Sequence, residues 1–179
     1  MNYKEDMYND FVQKFSMILD KEINNLEISK IIFLCIGTDR IIGDAFGPLV
    51  GYKLNKLFLK NENIKVIGNL ENIINANNIE NILKEIKVKY EMPFIIAIDA
   101  AVSNRTEIGR IIVSNSKMNV SSVFMNKNIY AGNVSIKGVV SRDLNNPRSN
   151  VQLLQNVPLG RIMTMADCVA NGIYNVINV

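Results

Sequence analysis

The chain has 179 residues, 48% of them hydrophobic, and a net charge of +3 from 20 basic and 17 acidic residues scattered along it. That length fits one domain with a sizeable core, and so weak and dispersed a charge argues against a nucleic-acid partner. There is no histidine and there are only two cysteines, which excludes Ser–His–Asp and Cys–His catalysis and any imidazole or four-thiolate zinc site.

The opening MNYKEDMYNDF alternates its charges and carries no apolar core of a signal peptide. No apolar run approaches the ~20 residues of a membrane span, so a cytoplasmic location without membrane contact is expected. Over residues 5–28, Met7, Phe11, Phe15, Ile18, Leu19 and Leu26 fall on one side, the pattern of an amphipathic helix. Residues 1–28 therefore read as an N-terminal cover on a single domain spanning residues 1–179. Ile31 to Ile36 is a six-residue apolar run rich in β-branched side chains, a strand buried on both faces as in a parallel sheet. Gly37 ends it, and a polar loop with Thr38, Asp39 and Arg40 runs to Gly43 and Asp44. From Ala45 to Phe58 the apolar residues recur at helical spacing, with Pro48 tolerated in the first turn.

Ile64 to Gly68 is a second short strand, and Ile79 to Val88 a helix after an asparagine-rich loop. Phe94 to Ile98 is a third, fully apolar strand that ends at Asp99. Strand–helix–strand–helix–strand predicts a three-layer α/β/α sandwich around a mostly parallel sheet, with core strand order 2-1-3. Beyond Asp99, Gly109 to Ser114 and Val134 to Val140 read as further strands. Ser135 and Lys137 alternate with apolar neighbours in the latter, which suggests a half-exposed or antiparallel position. Residues 115–133 form a long polar connection containing Phe124, Met125 and Tyr130, long enough to suggest a functional or mobile loop. Asn145, Asn146 and Pro147 make a turn before a short helical segment at Val151 to Leu154. Leu159 to Val179 closes the chain as a helix. Cys35 and Cys168 read as small core side chains.

Asp44 and Asp99 each follow an apolar strand and should lie at the carboxyl edge of the sheet, where open α/β folds bind ligands. If strands one and three are neighbours, the two Cα atoms should lie within about 10 Å, two strand spacings, with both carboxylates open to solvent. Carboxylates that meet there can share one proton, one serving as general base toward water and the other as general acid toward a leaving amine. The bland alternatives are that Asp44 only caps the helix after it and that Asp99 only satisfies loop amides. Thr38, Asp39, Arg40, Asn104 and Arg105 are the candidate substrate-binding residues. Arg40 either holds an anionic group or is simply solvated, and Asn104 and Arg105 either touch a substrate backbone or form a polar turn. The loop has neither the Gly-Lys-Ser/Thr ending of a phosphate loop nor a Gly-x-Gly-x-x-Gly run, so no nucleotide and no other cofactor is expected.

The segments CIGTDRIIGDAFGPLVGYKL and FIIAIDAAV resemble those of the YyaC family of sporulation proteins. The likeness continues through IGNLENIINANNIENIL, VSIKGVV and the closing helix. More distantly the sequence is similar to the germination protease of spore-forming bacteria and, in fold, to the hydrogenase maturation endopeptidases. The resemblance implies a phosphorylase/hydrolase-like fold and an atypical aspartic peptidase of sporulation or germination, acting in the forespore or spore core. In the germination protease both aspartates of these segments are catalytic, which carries over to Asp44 and Asp99. That protease cuts small acid-soluble spore proteins, so a protein or peptide substrate is the expected partner; assembly into a homo-oligomer stays open. The chain is shorter than the germination protease and lacks the histidine that completes a nickel site in hydrogenase maturation enzymes. Two other functions compete: a peptide-binding protein without catalysis on the same fold, and a hydrolase that holds a divalent cation between the two aspartates.

Overall fold

β1 (Lys30–Cys35) is buried on both faces: Ile32 and Leu34 pack to one side and Phe33 and Cys35 to the other, all fully enclosed. Such a strand needs a layer on each side, and the computed structural model, which describes residues 3–24, 26–120 and 128–178, supplies both. On one side α1 (Tyr3–Ile23), α2 (Phe46–Leu57) and α5 (Leu159–Ile177) enclose Phe33, Phe94, Ile96, Ile98, Val134 and Ile136. On the other, α3 (Ile79–Lys89) and a hairpin of β5 (Met118–Val120) and β6 (Ile129–Ala131) cover Ile32, Leu34, Ile95 and Ala97. The result is a three-layer α/β/α sandwich. No helix of the described residues is long and apolar enough to cross a membrane.

The central sheet has the order β2-β1-β3-β7-β4, with β2 (Ile64–Ile67), β3 (Pro93–Ser103), β7 (Val134–Arg142) and β4 (Ile111–Ser114). β2, β1, β3 and β7 run parallel, and β4 closes one edge antiparallel to β7. The expected 2-1-3 core is present, with Cys35 opposite Ile98 and Leu34 opposite Ala97.

Four expectations change. The strand at Val134–Val140 is not half-exposed: it lies inside the sheet, parallel to β3 and antiparallel to the edge strand β4, and seven of the nine residues of β7 are buried. Its apparent alternation comes from Ser135, small enough to be enclosed at 2% exposure, and from Lys137, whose long stem lets a charge leave a buried strand. Residues 115–133 are not one open loop, because β5 and β6 pair there; Phe124 and Met125 lie outside the described residues. β3 does not stop at Ile98 but continues to Ser103, since β7 offers it a partner as far as Arg142. The first helix ends at Ile23, and Leu26 is left 48% exposed.

Candidate active site

The loop after β1 folds back on its own start. Gly37 has φ +140, and a Cβ there would fall 2.1 Å from the Asp44 carbonyl oxygen, so a side chain at this position is excluded both by conformation and by space. The Thr38 N–H donates to that same carbonyl at 3.2 Å. Asp44 itself sits in a single 3-10 turn, Gly43–Ala45, before α2 begins at Phe46. Three contacts pin the turn. Leu154 of α4 (Pro147–Gln155) closes over Gly43, Phe46 lies on Gly138 of β7, and Gly47 seats the first turn of α2 on the Ile36 carbonyl. Residues of the turn thereby come within 8 Å of β3, Cα to Cα.

Asp99 belongs to β3 rather than to the loop after it, one register step beyond the Cys35–Ile98 pair. Alternation puts it on the face of Ile95 and Ala97. One carboxylate oxygen accepts from the Ala100 N–H at 2.8 Å. Its register partner on β7 is Lys137, on the same face and about 4.8 Å away strand to strand. Both aspartates keep part of their surface open. Burial pushes the Asp44 carboxyl up from its ordinary value, and the Thr38 N–H pulls it partly back. Burial raises Asp99 well above the usual carboxylate range and the negative charge of Asp44 raises it further; the Ala100 N–H and the Lys137 ammonium oppose this. A carboxylate whose proton affinity is raised by the charge of a second one lies near enough to share a site with it.

The two bland roles do not describe these residues. The N-cap of α2 is Ala45, with no side chain capping it, and the amide bonded to Asp99 is that of its own strand neighbour. Of the candidate binding residues, Thr38 is at the site through its N–H, while its hydroxyl accepts from the Arg40 N–H at 3.3 Å and braces the loop. Asp39 and Arg40 are exposed on that loop. Asn104 and Arg105 come after the end of β3 at Ser103, itself about 13 Å along the strand from Asp99 at ~3.3 Å per strand residue. Lys137 is the residue that sequence reasoning passed over. Its signal was a lone charge inside the apolar VSIKGVV, which read as exposure of the strand when it is a charge carried into the sheet edge.

The family model described as "Protein of unknown function (DUF1256)" matches residues 2–172. The uncharacterized protein YyaC of Bacillus subtilis (strain 168) is 28% identical over 161 residues, covering 90% of this chain and 76% of that protein. Among solved structures, the NiFe hydrogenase maturation protease HycI from Thermococcus kodakarensis KOD1 matches with a TM-score of 0.56. The match covers 86% of this chain and 95% of that one at 17% identity, a likeness of fold.

Proposed function

The chain belongs to the DUF1256 family, and from its sheet edge we propose that it is an aspartate-dependent endopeptidase whose working groups are Asp44 and Asp99. One observation carries the reading: two partly open carboxylates, delivered by separate segments to one edge of the sheet, both hold their protons more tightly than an ordinary carboxylate, through burial and, for Asp99, through the charge of Asp44 as well. A fold shared with a maturation protease and the likeness to YyaC support it.

Asp44 is the ionised member, because the Thr38 N–H favours its charged form, and Asp99 is the member that keeps the proton. Asp44 takes a proton from water as the water oxygen bonds to the peptide carbonyl carbon and the carbonyl π pair moves onto oxygen. Collapse of the tetrahedral intermediate then breaks the C–N bond. The nitrogen keeps the electron pair and takes the proton of Asp99. The substrate is a protein or peptide of the sporulation or germination programme. Thr38, Asp39 and Arg40 hold it next to the scissile bond. Asn104 and Arg105 meet an extended chain about five residues away.

The test is recombinant protein incubated with a spore-protein extract, with new peptide termini read by mass spectrometry. New termini are expected with the wild type and not with Asp44→Asn or Asp99→Asn. Cutting at the wild-type rate by either variant removes that residue from the mechanism. Inactivation by a chelator, reversed by one particular metal, replaces the reading by the cation-dependent one.

A further inference from the structure

We infer that Lys137 is the third working member of this site: its ammonium, one strand from Asp99 on the same face, stabilises the carboxylate that Asp99 becomes on giving up its proton. The chemistry rests on the peptidase reading above; the coupling of Lys137 to Asp99 does not.

The placement is fixed by the sheet. β7 pairs with β3 on one side and β4 on the other, and the row across the edge runs Asp99, Lys137, Ile112. Before Asp99 on that row comes Ile36, one step past the Cys35–Ile98 pair and buried. A lysine flanked by buried Ile136 and Gly138 is an expensive place for a cation. The lysines of ion pairs among the described residues, Lys14, Lys53 and Lys84, sit on helices; Lys137 forms no ion pair with a described carboxylate. Around Asp99 the charged groups are Asp44 from the turn after β1 and Lys137 from β7, while the Ala100 N–H bonds it from its own strand.

The cation answers a chemical need. Asp44 begins ionised and ends the first step protonated; Asp99 begins protonated and ends the second step ionised. At that moment Asp99 is a poorly solvated carboxylate, and desolvation alone makes it a reluctant donor. An ammonium on the next strand offsets that charge when it forms, a stabilisation larger after proton donation than before it. Water then resets the pair by passing the proton from Asp44 back to Asp99.

Carboxyl-carbon NMR titration of aspartate-labelled full-length protein, in the wild type and in Lys137→Met, Lys137→Gln and Lys137→Arg, tests the coupling without a substrate. The upper of the two apparent pKa values of the pair should rise in the Met and Gln variants and return in Lys137→Arg. An unmoved upper step in either folded neutral variant overturns the inference. Activity on the spore extract supplies the second reading. kcat should fall on the order of tenfold or more in the neutral variants, with the basic limb of the pH–rate profile displaced to higher pH and restored by arginine. A loss of activity without that displacement marks a merely structural lysine and also overturns the inference. A wild type that cuts nothing overturns the peptidase reading instead, and the titration still decides whether Lys137 acts on Asp99.

Discussion

Asp99 and Asp44 hold their protons more tightly in the folded chain than an exposed carboxylate does, with burial the main cause for each. The unfolded value is about 3.9. A carboxyl raised above it adds stability that is fully present below the unfolded value and is lost as pH rises through the folded one. At neutral pH the site is therefore a cost to the fold. Asp99→Asn should melt higher than the wild type at pH 7, by about 2–4 °C for each kcal/mol recovered in a chain of this size, and the advantage should vanish near pH 4. Asp44→Asn should do the same to a smaller degree while lowering the proton affinity of Asp99. A melting temperature for Asp99→Asn at or below that of the wild type at pH 7 would contradict the desolvation account. Thiol chemistry gives a second expectation at this scale. The Cys35 thiol is fully enclosed and pushed upward by burial, and that of Cys168 is pushed up to about 11. Native protein should leave a thiol reagent unreacted, and both cysteines should titrate only after denaturant is added. Rapid labelling of the native chain would place one of them at the surface.

The elements that carry the site are held by backbone meeting backbone. At Gly47 an added Cβ would fall 1.9 Å from the Ile36 carbonyl oxygen, which no rotamer change relieves; at Gly160, in the first turn of α5, it meets nothing within 4 Å. Gly47→Ala should therefore cost about 1–3 kcal/mol or more in a urea melt, with activity lost as α2 lifts and carries Asp44 away from β3. Gly160→Ala should be neutral or stabilise by up to about 1 kcal/mol. Equal melts for the two variants would show that α2 does not rest on β1 as described. Element type was legible where local pattern was strong: apolar runs gave β1 and β3, and helical spacing gave α2, α3 and α5. At β7 the strand was legible but its burial was not, because a buried serine and a stem-anchored lysine imitate the alternation of a half-exposed strand. Element type failed at β5 and β6, three residues each, too short for any period to show.

At the scale of the molecule, α1 is part of the core and not an ornament. Met7, Phe11, Phe15 and Leu19 are buried, and the Phe11 and Phe15 rings stack at 5.6 Å. Burial of four such side chains amounts to about 6–12 kcal/mol, comparable with the whole stability of a domain, about 5–15 kcal/mol. A chain beginning after Ile23 should lose its cooperative melting transition, and the full chain should unfold in one step; a folded truncated chain would make α1 dispensable. The sequence alone determined the parallel α/β core and its first three strands, because hydrophobic runs, glycines and helical periods are local, and the 2-1-3 order expected of them is the one in the sheet. Only the tertiary structure decided that β7 lies beside β3, that Lys137 faces Asp99 across 38 residues of chain, and that β3 runs on past Asp99 to Ser103. Register between distant strands is set by how side chains pack across the whole sheet. The charge on a carboxylate is set by the neighbours that packing brings to it.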